Sequence, residues 1–184
     1  AEFSDGLIAL SGGQAGHIGQ AIMASNYKLA ESRTQYFKNI FGEDFFIEIS
    51  KLGRRGEEEY INQVLNIASQ NSIPIVATND VQFLSNTETE DESLSDYEAH
   101  EARVCIQSGE ILDDPRREKK YLETQYFASN EEMLEKFKDF PEALQNTVLI
   151  AKKCNLELEL GEFYLPDFEV PENFTTEQFL RDQS

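Results

Sequence analysis

Hydrophobic positions along the chain alternate between runs that suit a strand and stripes that suit a helix. Residues Gly6-Leu7-Ile8-Ala9-Leu10-Ser11 form a short apolar run closed by Gly12 and Gly13, which predicts a buried strand. Residues 14–24 suit a helix. After Ser25 and Asn26, both good caps, a second helix places Leu29, Tyr36, Phe37 and Ile40 on one face and stops at Gly42. Phe45-Phe46-Ile47-Glu48-Ile49 is aromatic and β-branched, as a strand should be, and a Gly-Arg-Arg-Gly turn follows at 53–56. From Glu57 to Asn71 the helical period returns with Tyr60, Ile61, Val64, Leu65 and Ala68 on one side, and 73–77 reads again as a strand. Strand, helix, strand, helix, strand predicts an α/β fold with a parallel sheet, in which chemistry sits at the carboxyl ends of the strands. Glu48 and the Thr78-Asn79-Asp80 tripeptide fall near those ends.

The second half of the chain is predicted mainly helical. An acidic, Ser/Thr-rich stretch at 85–96 has few apolar anchors and reads as a solvated loop or a frayed helix start. A helix over 97–107 leads to Leu112-Asp113-Asp114-Pro115 and to the basic run at 116–120, read as a solvated loop or as a contact for an acidic partner or a phosphate. Ser129 with Glu132 makes a capping box for a helix over 130–138. Pro141 opens another helix that runs to Cys154 with Leu144, Val148 and Ala151 inward. Leu156-Glu157-Leu158-Glu159-Leu160 alternates like a strand with one wet face, and Thr175 or Thr176 starts a last helix.

Charge narrows the function. With 16 Lys and Arg against 35 Asp and Glu, the formal charge of −19 repels a DNA backbone, so no direct DNA binding is expected. No apolar run approaches the roughly 20 residues that cross a bilayer and no secretion signal is visible, so no membrane partner and a cytoplasmic location are expected. Cys105 and Cys154 lack ligand spacing and read as buried thiols. His17 and His100 are far apart in sequence, which argues against a histidine-rich metal centre; His100, beside acids, reads as ion-paired or capping. Gly12, Gly13, Gly16 and Gly19 match neither G-x-G-x-x-G nor the P-loop, which favours tight turning and close helix packing over a phosphate cradle. The chain opens on a strand without an initiator Met and stops within a helix, so it is expected to be a piece of something longer.

Several runs together resemble one family. GLIALSGG (6–13), FFIEI (45–49), IPIVATNDVQFL (73–84), YEAHEARVCIQSGEILDDPRR (97–117), FPEALQNTVLIAKKCN (140–155) and LGEFYLPDF (160–168), with Tyr126, Phe127 and 129–133, are similar in order and spacing to bacterial DNA polymerase III alpha subunits. The resemblance implies a partial PHP-type distorted (β/α)7 barrel without its early βα units over residues 1–160, and over 161–184 the start of a helical connection to the polymerase core. It implies DNA-directed DNA synthesis by the parent protein, with magnesium as its cofactor, and a scaffolding or docking role for this stretch. The proofreading exonuclease subunit, the rest of the alpha subunit, the sliding clamp and the clamp loader are the implied partners. The catalytic aspartates are expected outside the chain, with no catalytic residue or cofactor inside it.

The same resemblance marks Glu48 and Asp80 as candidate remnants of a metal-dependent phosphoesterase centre. Where metal-keeping relatives carry His, this sequence has Leu52 and Gln82; leucine has no lone pair and an amide is a poor substitute for imidazole. Without the resemblance, Glu48 reads equally as a polar bridge at a strand end and Asp80 as an Asx-turn residue. A stand-alone, histidinol-phosphatase-like PHP phosphoesterase is the alternative function, and a pure interaction module is a third.

Overall fold

The structure is a computed structural model describing residues 3–85, 95–163, 169–171 and 174–183. The chain divides into two compact units, Ala1–Cys154 and Asn155–Ser184. In the first, β1 (Ala9–Leu10), β2 (Phe45–Ser50) and β3 (Ile75–Thr78) form a parallel sheet in the order β1-β2-β3. Around it stand α1 (His17–Met23), α2 (Tyr27–Phe41), α3 (Glu57–Asn71), α4 (Asp96–Ser108), α5 (Asn130–Lys136) and α6 (Pro141–Lys153). The second unit carries α7 (Thr176–Gln183), whose first turn is preceded by Thr175 as a side-chain cap for Gln178. The first unit is a mixed α/β domain with a small parallel sheet; over both units the described residues hold seven α-helices.

The central strand sets the core. Only Glu48 of β2 escapes full burial, the continuous apolar pattern of a strand covered on both faces. One cover is α3, which begins and ends where its sequence predicts. Three acids in its first turn complement the positive end of the helix, and Ser72 closes it in the left-handed conformation at φ 51°. Its inward line is Tyr60, Ile61, Val64, Ile67 and Ala68. Leu65, expected in that line, is half-buried and packs at its margin.

Elsewhere the structure shifts the expected faces. On α2 the fully buried positions are Ala30 and Thr34, continued by the partly buried Phe37 and Phe41, while Leu29 and Tyr36 are exposed. Two small residues let α2 approach its neighbours closely; the Thr34 hydroxyl is satisfied by donating to the Ala30 carbonyl at 2.9 Å. Phe37 then stacks on Phe45 of β2 at 5.7 Å between ring centres. On α6, Ala143 is buried and Leu144 half-buried, whereas Val148 and Ala151 face solvent. Asn146 reaches inward instead, donating to the Ile75 carbonyl of β3 at 2.7 Å.

The first and last predicted strands are also corrected. β1 is only Ala9–Leu10, with Leu7 and Leu10 exposed, because it is the sheet's edge and pairs on one side. Residues 156–160 form no strand: Leu156, Leu158 and Leu160 are all exposed, and among the described residues no strand pairs with them to give one face a core to meet. Cys154 is exposed and Cys105 is buried, so the pair of buried thiols is half right. The acidic stretch at 85–96 lies largely outside the described residues, which resume at Ser95, the N-cap of a capping box with Glu98 on α4.

Candidate functional site

At the carboxyl end of the sheet every residue singled out from the sequence has a partner inside the chain. Glu48 sits in the middle of the tie between strands. Its amide donates to the Ser11 hydroxyl at 2.9 Å, its Oε1 accepts from the Thr78 hydroxyl at 2.7 Å, and its carbonyl accepts from the Tyr60 hydroxyl at 2.7 Å. Burial pushes the Tyr60 hydroxyl well above the usual phenol range; the nearby Glu48 charge adds to the rise and a hydrogen bond with Ser11 opposes it.

Asp80 has its own set of donors. It adopts a left-handed backbone at φ 42°, uncommon for any residue but glycine and tolerated best by Asp and Asn. The Arg54 guanidinium pairs with its Oδ2. Gln125 Nε2 donates to the same oxygen at 3.0 Å and to the Asp80 carbonyl at 3.1 Å, and Gln82 Nε2 donates to Oδ1 at 3.2 Å. Gln125 is itself fully buried and accepts the Leu122 amide at 2.8 Å. Between Thr78 and Asp80, Asn79 pins the 124–126 segment through the Thr124 and Tyr126 carbonyls and accepts from Lys136 at 2.9 Å.

Leu52 fills a core position and its backbone does the polar work. The amides of Leu52 and Gly53 donate to the Glu57 carboxylate at 2.8–2.9 Å, and the Leu52 carbonyl accepts from Thr124 at 2.7 Å. Glu57 is buried at the first position of α3, so the turn at 53–56 is an anion nest that the chain fills with its own carboxylate. Sequence reading missed Glu57 and Gln125. The clue for Glu57 was an acid directly after the Gly-Arg-Arg-Gly turn, whose glycines take left-handed φ of 85° and 76° in the structure; Gln125 leaves no clue in its pattern.

The glycine cluster serves close packing. A Cβ on Gly16 would lie 2.0 Å from the Ser11 carbonyl oxygen, and one on Gly19 would lie 2.3 Å from that of Gly13. A cleft of about 710 Å³ opens beside this turn, lined by Gln14, Gln20, Met23, Arg54, Asp80 and Lys120. Glu48 is turned to Thr78 and does not line it, so the two acidic candidates are not brought to one cavity. Among the described residues no group of three or more His, Cys, Asp or Glu is placed to hold a metal. The residues do not fit one at Asp80 either: its charge is met by a guanidinium and two amides, and Leu52 offers no lone pair.

Residues 1–51 match the family model of the PHP domain. Over 183 residues, the whole chain, the sequence is 43% identical to DNA polymerase III subunit alpha of Pseudomonas aeruginosa and 44% identical to that of Haemophilus influenzae. Against the same subunit of Escherichia coli K12 it is 41% identical over 179 residues, 97% of the chain. Along essentially its whole length the chain is similar to these subunits. It spans about 15% of the length of those alpha subunits.

Further expectations meet the structure away from the strand ends. Arg117, placed in a solvated basic run, is enclosed with Glu101 in an ion pair of 2.6 Å, both side chains only 3% exposed. The contacts of Arg117 and Tyr121 with Glu101, Tyr97 and His100 of α4 bring it inside, which charge counting cannot foresee. Its neighbour Arg116 stays exposed and grips Asp114 at 3.1 Å, holding that carboxyl below the usual range. His100 packs edge-on against Tyr121 at 4.6 Å and beside Phe83 at 6.0 Å, with Nε2 free of any hydrogen-bond partner, so aromatic packing replaces the expected ion pair. His17 is exposed and close to the Phe37 ring. Among the described residues no helix is long and apolar enough to cross a membrane.

Proposed function

We propose that this chain is a segment of the catalytic alpha subunit of a bacterial replicative DNA polymerase, and that its part in that protein is to hold and dock rather than to catalyse. The observation carrying the reading is the 41–44% identity to alpha subunits over essentially every residue of the chain. Residues 1–160 are then the later part of a PHP-type distorted barrel of seven βα units, and 161–184 begin the connection to the polymerase core. The parent extends a primer by nucleotidyl transfer with magnesium ions held by aspartates outside this chain, the ions lowering charge on the attacking and leaving oxygens.

The strand-end contacts support the scaffold role. Glu48 and Asp80 are remnants of a metal centre whose other positions are Leu52 and Gln82, and both carboxylates now serve as ties within the fold. Those contacts and the two lost imidazoles weigh against a stand-alone phosphoesterase. The formal charge of −19 supports contact with proteins over DNA: the rest of the alpha subunit, the proofreading exonuclease subunit and, through the whole protein, the sliding clamp and clamp loader, all in the cytoplasm. The test is to express the complete reading frame that contains this chain and assay primer extension with magnesium. Extension is the expected result. A product that extends no primer but hydrolyses p-nitrophenyl phosphate would overturn the reading in favour of the phosphoesterase.

A further inference from the structure

Phe83 and Tyr126 face each other across a short parallel bridge, fastened by the Phe127 amide donating to the Phe83 carbonyl at 3.0 Å and the Gln82 amide to the Gln125 carbonyl at 2.8 Å. Phe83 and Gln125 are buried here, while Leu84 and Phe127 are exposed, at 78% and 69%. A groove of about 660 Å³ runs beside them, lined by Leu84, Tyr126, Phe127, Ala128, Glu131 and Glu132 among others.

Its form is fixed before anything binds. Tyr126 donates its hydroxyl to Glu132 at 2.5 Å, and Glu132 accepts the Ser129 amide at 2.7 Å as half of a capping box. Asp96 accepts the Ser85 amide at 2.8 Å beside the groove. The rim is thus acidic, with Glu131, Glu132 and Asp96, and no Lys or Arg is among its lining residues. Lys136 turns its ammonium to Asn79 over the Tyr126 ring. No Lys or Arg occurs in the sequence between Arg55 and Arg103, and the cation whose charge reaches the rim is Lys136, one turn after Glu132.

Building on the docking role proposed above, we infer that this groove receives a short basic segment of a partner protein, an aliphatic side chain resting on Leu84 and Phe127 while flanking arginines or lysines meet Glu131, Glu132 and Asp96. The apolar floor supplies contact area, and the carboxylates select for positive charge and against acidic competitors. Arginine suits the rim best because its planar fork can bind a carboxylate through two parallel hydrogen bonds.

Fluorescence anisotropy on the complete 184-residue chain tests this. The probe is a fluorescein-labelled peptide with a Leu pair flanked by Arg, compared with a matched peptide carrying Glu in place of Arg. The Arg peptide should bind saturably and weaken several-fold as salt is raised, and the Glu peptide should not bind. Phe127→Ser should weaken the Arg peptide about tenfold or more, the loss typical of a central interface anchor. Leu84→Ser is the second variant should Phe127→Ser lower the melting temperature. Equal binding of the two peptides, no binding of either, or wild-type affinity in both variants would overturn the groove. Failure of primer extension by the complete reading frame would overturn the polymerase reading and leave these titrations as they are.

Discussion

Arg117 and Glu101 are enclosed together, and a buried ion pair is more costly to break than to remove. Arg117→Met leaves a carboxylate without its counter-charge, so its urea midpoint should fall well below that of Arg116→Met, whose side chain is exposed. The double variant Arg117→Met/Glu101→Leu should recover much of the loss, and a double variant no better than Arg117→Met would contradict the pairing. At the nest, Glu57→Gln replaces an anion that accepts the Leu52 and Gly53 amides, and should cost about 2 kcal/mol in urea unfolding. Glu132 gives a pH signature. Its hydrogen bond from Tyr126, then that from the Ser129 amide, holds its carboxyl below the usual glutamate range. A folded pKa below the unfolded one gives stability that is present above the unfolded value and lost as pH falls through the folded one. Melting temperature followed downward from about pH 5 should therefore fall less steeply for Glu132→Gln than for the natural chain.

Element boundaries were legible wherever local chemistry alone decides them. The limits of α3, the Pro141 start of α6 and the Ser129–Glu132 capping box all follow from neighbouring residues, and Ser129→Ala should cost about 1 kcal/mol of stability by urea titration. Which face of a helix turns inward depends instead on what the helix meets. Leu29 and Tyr36 are more hydrophobic than Ala30 and Thr34, yet the close approach of α2 to its neighbours selects the small pair. Asn146 is invisible to any apolar count because its value lies in one carbonyl of β3. Among the described residues the alternation at 156–160 lacked the partner strand that gives alternation meaning. At the strand ends, the positions of Glu48 and the Thr78-Asn79-Asp80 tripeptide could be read in advance. Gln125 and Arg54 could not, since they reach Asp80 from 45 and 26 residues away. Gly19→Ala tests the packing of the α1 turn: with 2.3 Å available, the added methyl should cost about 1–3 kcal/mol.

At the scale of the molecule, a strongly acidic α/β unit presents strand ends whose polar groups are tied to one another. Thr78, Asn79 and Asp80 each hold a different part of the fold: Glu48, the 124–126 segment, and Arg54 with Gln125. In such an arrangement the carboxylates tie the unit together, as the scaffold role proposed above requires. Elemental analysis of the chain, purified after growth with added zinc and manganese and then dialysed, tests this most directly. The account predicts no divalent metal in stoichiometric amount; one or more tightly held zinc or manganese ions per chain would contradict it.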